Sequence, residues 1–395
     1  MSSSSFQVTA SRHFTQWMID QRVSLAISTY QAGKLLLVGC KPDGRLAVCE
    51  RNFPRCLGLW SDGQTLWMSS QFQLWRFENV LTCPDTREGV DRLFVPRVGI
   101  TTGELDIHDI GMNSDGQPVF VNTLFGCLAT VDPRFSFRPL WRPRFVSRLV
   151  AEDRCHLNGV AFEFAGEKRQ AIVESTRPAG LTVDAATQVG RPRFVTACSQ
   201  SDVIDGWRDQ RTHGGCVVDV VSNEVVATGL SMPHSPRLSA GVGQDKLWLL
   251  DSGHGYLGYI SLANGRLERV AFCPGYARGL ALRGDFAVIG LSRPREATFQ
   301  GLPLETELSR RGTVARTGLH VVDLSSGEVA HWLRIEGAIT ELYDVVLLPH
   351  VARPQALGFK TDEIRRQIWF EQDGQVRGWT GMNRENSPSS ATDSE

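Results

Sequence analysis

Three histidines open three copies of one short pattern: "HDIGM" (108–112), "HLNGV" (156–160) and "HSPRL" (234–238). The pattern is a polar residue, a spacer, a third residue, then small and apolar positions. It returns as "RCLGL" (55–59), "YARGL" (276–280) and "ELYDV" (341–345). Side chains two apart on a strand share a face. The first positions are Arg55, His108, His156, His234, Tyr276 and Glu341, and the third are Leu57, Ile110, Asn158, Pro236, Arg278 and Tyr343. Both sets are expected to face one axis.

Three neutral imidazoles at one equivalent position suit a divalent metal with an open coordination site, with Zn, Mn, Fe or Ca as candidates. Such an ion polarises a substrate oxygen or acidifies a water. Glu341, Tyr276 and Tyr343 are the candidate acids and bases beside it. Arg55, Arg278 and Arg293 are candidate clamps for a carboxylate, phosphate or sulfate. Asn122, Asn158 and Asp251 complete the candidate substrate-binding set. The same residues have a plainer reading. The histidines then bond only to neighbouring strands and water, Glu341 partners Arg55 or Arg278, and Asp251 and His254 form the turn "DSGHG".

The elements that would carry these residues are strands. Only 10–21 and 359–370 have helical periodicity. The remainder is short apolar runs cut by turn residues, as in "KLLLVGCKPDGRLAVCE" and "LHVVDLSSGEVAHWLRI", which read as hairpins. The six copies are spaced 53, 48, 78, 42 and 65 residues apart, and the long spacings carry insertions at 163–190 and 292–317. Six units of about four strands each define a six-bladed β-propeller. The last copy has no chain left for its own blade, and the strands near 24–29, 34–39 and 45–50 lack a first strand. "ELYDVVLLP" is therefore expected to supply it, so that N- and C-terminal strands share one blade and no sheet edge is left open. The second strands end on the same face as the motifs begin, and their polar ends (Thr29–Gln31, Ser69–Gln71, Asn122–Thr123, Thr196, Asp251–His254, Ser292–Arg293) are expected to gather there. The expected division is a flexible N-terminus (1–14), one propeller domain (15–380) and a disordered Ser-rich tail (381–395).

Composition narrows the function. The net charge of −1 over 395 residues argues against nucleic-acid binding. No apolar run reaches the ~20 residues of a membrane helix, and the N-terminal stretch has no apolar h-region. The nine cysteines include no CxxC pair, which reads as reduced thiols in a cytoplasmic protein. "GKLLLVG" lacks the phosphate-loop frame, and "HGG" at 213–215 has no nucleophile elbow to serve. The expected partner is a small anionic molecule, or a peptide or glycan. One reading is a metal-dependent lyase or hydrolase at the channel mouth. The other is a non-catalytic propeller that binds through the same face.

"STYQAGKLLLVG", "FVNTLFGCLATVD", "PLWRPRFVSRLVAEDRCHLNGVA", "GLSMPHSPRL", "PGYARGLAL", "VIGLSRPRE", "ELYDVVLLP" and "ALGFKTDEIRR" resemble the successive blocks of an uncharacterised bacterial family, a propeller-like domain of unknown function. The resemblance covers about residues 15–370. It implies a bacterial source and one continuous domain, and no activity. The insertion at 163–190 departs from the family pattern and leaves the strand count of that blade open. More distantly, the architecture is similar to six-bladed propellers that hold an axial metal, among them lyases and lactonases; this is an analogy of fold alone.

Overall fold

A computed structural model of the chain describes residues 5–81, 89–164, 188–239, 245–293, 300–373 and 375–379. Six sheets, antiparallel but for one outer strand, are arranged as the blades of a propeller, and Ile368–Gln372 pairs with Gln375–Trp379 in a separate hairpin. Blade 1 runs Val345–Pro349, Val23–Thr29, Lys34–Cys40 and Leu46–Asn52 from axis to rim. The C-terminal strand thus closes the ring, with Val23 opposite Pro349 and Ile27 opposite Val345. The innermost strands of blades 2 to 6 are Leu59–Ser61, Ile107–Met112, Leu157–Phe164, Pro233–Leu238 and Tyr276–Arg283. Two terminal segments straddle the closure. Phe6–Ala10, within the stretch read as a flexible N-terminus, adds an outer strand to blade 6. Pro354–Ala356 adds a parallel outer strand to blade 2.

Burial explains the sequence pattern blade by blade. Inner strands have a neighbouring blade on both faces, so Val23–Thr29 and Lys34–Cys40 are buried at every position, and their sequences are continuously apolar. The outermost Leu46–Asn52 alternates toward solvent. The core lies between blades: Val119, Val121 and Leu128 of blade 3 pack on Leu157, Val160, Phe162 and Val195 of blade 4. Trp67 and Trp248 are buried within such clusters. The eight described cysteines are unpaired, seven of them buried.

The helical expectation at 10–21 corresponds to Phe14–Gln21. That at 359–370 is corrected: a single turn, Glu363–Arg366, precedes a strand at Ile368–Gln372. A helix not expected from the sequence, Pro303–Arg310, lies in the insertion after blade 6's second strand. Blade 4 has four strands, and its insertion joins the first two; residues 165–187, like the tail from 380, lie outside the described residues. No helix among the described residues is long and apolar enough to cross a membrane.

Close approach of blades demands glycine at one telling place. A Cβ on Gly279 (φ +75°) would lie 2.5 Å from Val345 N, in the closing strand. Gly279→Ala is expected to cost about 1–3 kcal/mol by overpacking against backbone. Gly284 also has positive φ but nothing within 4 Å, so Gly284→Ala is expected to lower the melting temperature less. Equal losses would contradict this account of the closure.

Candidate functional site

The innermost strands begin at a sharp corner. In four blades the corner residue has left-handed φ: Arg55 at 50°, Asp106 at 55°, His156 at 50° and Met232 at 48°. After Asp106, His156, Tyr276 and Glu341 the next carbonyl accepts a hydroxyl from the preceding blade. Ser69 Oγ donates to Ile107 O at 2.9 Å, Thr123 Oγ1 to Leu157 O at 2.7 Å, Ser252 Oγ to Ala277 O at 2.6 Å and Ser292 Oγ to Leu342 O at 3.0 Å. These ties set Asp106, His156, Tyr276 and Glu341 level at the mouth. His108 and His234 stand two residues deeper, level with Asn158, Arg278 and Tyr343.

The three histidines are therefore not at one equivalent position, contrary to the expectation from the repeat. Ile110 packs in the core between blades 2 and 3, and Pro236 lies over Gly159, so neither takes the axial place expected of it. Two substitutions misled the alignment. Asp109 and Ser235 occupy the depth where blades 2, 4 and 6 carry Gly58, Gly159 and Gly279. Gly111, used as the anchor, serves a different need: a Cβ there would lie 2.1 Å from the Phe162 ring. The polar ends of the second strands also have a mostly structural use, since their hydroxyls tie blade to blade.

Arg278 occupies the centre of the deeper ring and is only 8% exposed. Its Nη1 donates to Glu341 Oε1 at 2.7 Å. The guanidinium carbon lies 4.9 Å from the Tyr276 ring and 4.8 Å from the Tyr343 ring, a two-sided cation–π arrangement. His234 meets Tyr276 edge-on at 5.6 Å, and His108 meets Tyr343 edge-on at 5.3 Å. Glu341 thus sits as the counter-ion of Arg278, and the two tyrosines hold its faces.

The imidazoles of His108 and His234 are uncharged donors and acceptors. His108 Nδ1 faces Asp106 O at 2.8 Å, and His234 Nδ1 faces Met232 O at 2.8 Å. A carbonyl there fixes the proton on Nδ1 and leaves Nε2 as an acceptor. Burial pushes His108 down to about 4, with a smaller opposing effect from Asp106. Burial and then the charge of Arg278 hold His234 well below the usual imidazole range. His234 Nε2 and the Tyr343 hydroxyl are buried with no hydrogen-bond partner among the described residues. Burial keeps the Tyr343 phenol protonated, far above its ordinary value.

His156 differs from the other two. Its Nδ1 lies 2.7 Å from Asp153 Oδ2 and 3.0 Å from Oδ1. Trp207 Nε1 donates to the same Oδ2 at 2.8 Å, and its ring stacks on the imidazole at 4.0 Å. Trp207 comes from the connection between the second and third strands of blade 4. It joins Cys198, Met232, Tyr276, Leu302 and Leu304 in an apolar wall beside the mouth.

Among the described residues, no group of three or more His, Cys, Asp or Glu side chains is gathered so as to hold a metal ion. His108 and His156 meet edge to face at 5.0 Å. Arg278 adds positive charge to the same space. The described residues do not gather into the expected three-histidine centre.

The other expected residues scatter. Arg55 lies over the Tyr30 ring at 4.8 Å, bonded to the Tyr30 hydroxyl and to Glu104 at 3.4 Å, and Tyr30 in turn packs 6.1 Å from the Tyr343 ring. Asn158 Nδ2 donates to Pro233 O at 3.0 Å, linking blades 4 and 5. Asn122 Oδ1 accepts Phe125 N at 3.1 Å and shapes a turn. Asp251 is fully buried away from the axis, accepting Ser231 N at 2.8 Å and lying 2.8 Å from His254 Nδ1 and 3.3 Å from Arg269 Nη2. Arg293 is exposed beyond its strand.

Below the ring, a charged floor closes the channel. Arg237 Nη1 and Nη2 donate to Asp109 Oδ2 and Oδ1 at 2.8 and 3.1 Å. Asp109 also accepts Ile110 N and Val160 N at 3.0 and 3.1 Å. Asp344 accepts Leu59 N and Val345 N at 2.9 and 2.8 Å. Burial and the nearby Asp109 push Asp344 up to about 8, against the pull of Arg237. These three residues stood in the quoted motifs, Asp109 as a spacer and Arg237 and Asp344 at the small and apolar positions. Asp153 and Trp207 were missed as well; only the closeness of Asp153 to His156 in "EDRCH" signals the first.

A family model described as "Domain of unknown function (DUF4915)" matches residues 12–178 and 183–357. No curated protein matches. Three solved structures of comparable extent share little sequence. A nidogen/laminin complex chain is 10% identical at TM-score 0.45, covering 83% of this chain and 99% of that one. A catalytically inactive variant of virginiamycin B lyase from Staphylococcus aureus, with quinupristin, is 9% identical at TM-score 0.36, covering 84% and 99%. A protein of unknown function from Bacteroides caccae is 10% identical at TM-score 0.44, covering 82% and 98%. None of these carries an argument about function.

Proposed function

We propose a function from the premise that this chain belongs to the DUF4915 family: the mouth of its axial channel binds a short carboxylate that also bears a hydroxyl group. The observation that carries this reading is the buried Arg278, held between two tyrosine faces, with the uncharged imidazoles of His108 and His234 edge-on to those tyrosines. A guanidinium matches a carboxylate by paired charge-assisted bonds. The Nε2 acceptors of His108 and His234 match hydroxyl donors, and the Tyr343 hydroxyl matches an oxygen.

Calorimetric titration with malate, succinate and succinamide tests the reading. Malate is expected to bind most tightly. Succinamide, which keeps the shape without charge, is expected to bind about 10–100-fold more weakly, the worth of a hydrogen bond to a charged group. Equal affinities, or no binding of any of them, would overturn it.

A second reading has one observation in its favour. Val203 and Ile204, on the Trp207 connection, are 64% and 66% exposed, as a protein or peptide contact at this face would use. That reading gains if the small carboxylates fail to bind.

A further inference from the structure

We infer that His156, oriented by Asp153 and Trp207, is a general base, and that the mouth hydrolyses short acyl esters carrying a free carboxylate. The inference rests on the anion reading above and adds a reaction to it.

Orientation sets His156 apart. Of the three axial histidines, two bond backbone carbonyls, and only His156 bonds a carboxylate. A carboxylate behind Nδ1 fixes the tautomer and stabilises the imidazolium that forms when Nε2 takes a proton. Asp153 is itself held in place by the Trp207 Nε1 bond, and the stacked indole fixes the imidazole plane. Burial alone would raise the Asp153 carboxyl, but the imidazole and these hydrogen bonds hold it below its usual value. His156 Nε2 has no hydrogen-bond partner among the described residues, and the residue stands in the mouth tier.

Distance then selects the substrate. His108 lies 5.0 Å from His156, Tyr343 lies 5.3 Å from His108, and Arg278 lies 4.8 Å from the Tyr343 ring. A carboxylate on Arg278 and a carbonyl beside His156 are therefore separated by two side chains. That span suits an acyl chain of a few carbons with a carboxylate at one end and an ester at the other. Tyr343, protonated and between the two, is placed to donate to the carbonyl oxygen.

His156 Nε2 takes one proton from a water as the water oxygen bonds to the acyl carbon. The carbonyl π pair moves onto oxygen, which accepts the Tyr343 hydrogen bond. The C=O bond re-forms, and the bond to the alcohol oxygen breaks with its electron pair leaving on that oxygen. The Nε2 proton passes to the leaving alkoxide. A dicarboxylic acid and an alcohol are released, and the imidazole is again neutral.

The test uses the full chain and mono-4-nitrophenyl succinate, with succinate binding measured in parallel. Turnover above buffer is expected, with 4-nitrophenyl acetate, which lacks the carboxylate, at least about 10-fold poorer in kcat/KM. His156→Asn is expected to lower kcat by about 10²–10⁴-fold, the usual worth of a general base. Asp153 is a positioning residue. Asp153→Asn is expected to lower kcat with KM unchanged, a split that a merely structural defect would not give. Succinate binding by each variant shows that it is folded; if Asp153→Asn is insoluble, His156→Asn decides alone. If succinate binds but the ester is not turned over, or His156→Asn hydrolyses it as fast, the base is overturned and the anion site stands. If neither malate nor succinate binds the wild type, both readings fall.

Discussion

Asp109→Ala is expected to destabilise the protein by about 3–5 kcal/mol, the cost of breaking a buried ion pair by removing one partner. The carboxylate accepts four hydrogen bonds, from Ile110 N, Val160 N and two nitrogens of Arg237. Asp109 is 2% exposed and Arg237 6%. Alanine leaves a guanidinium in the channel without that carboxylate, and a blade 4 amide without its acceptor. Three blades meet at this point, since Asp109 comes from blade 3, Val160 from blade 4 and Arg237 from blade 5. Urea unfolding reads the loss. The paired replacement Asp109→Leu with Arg237→Met removes both charges and is expected to recover most of it. A loss under about 1 kcal/mol for Asp109→Ala would show that the floor is not a stabilising element.

Removing the mouth's central charge pair is expected to abolish ligand binding while sparing the fold. The double variant Arg278→Leu with Glu341→Leu takes out the guanidinium and its counter-ion together, 2.7 Å apart, so neither charge is left buried without the other. Malate affinity is expected to fall at least about 100-fold, since two charge-assisted hydrogen bonds of about 1.5–3 kcal/mol each are lost. The melting temperature is expected to stay close to wild type. A folded double variant that binds malate as tightly as the wild type would remove Arg278 from the site.

The propeller was legible because its strongest signals are local. Each blade repeats a strand, a turn and a strand, and the orphan strands at the N-terminus required a partner that only "ELYDVVLLP" could supply. The pairing of Ile27 with Val345 is the physical counterpart of that gap. The direction of the polar face was legible for the same reason, and Arg278, Glu341, Tyr276 and Tyr343 do meet there. Depth along the strand was not. It is set by corner residues in left-handed conformation and by hydroxyl ties between blades, and neither leaves a fixed letter in the sequence. Asp109 and Ser235 stand where other blades have glycine, which moved two histidines by one full pleat. Contacts that cross the disc were also hidden. Arg237 and Asp109 are 128 residues apart, and Trp207 reaches His156 from a connection outside the repeat.

A crystal structure of the protein grown with malate tests the central claim most directly. The account predicts a malate carboxylate on Arg278 with oxygens about 2.7–2.9 Å from its nitrogens, and the malate hydroxyl directed at an Nε2 of His108 or His234. Malate bound elsewhere, with the Arg278–Glu341 pair unchanged at the mouth and no ligand beside it, would contradict it.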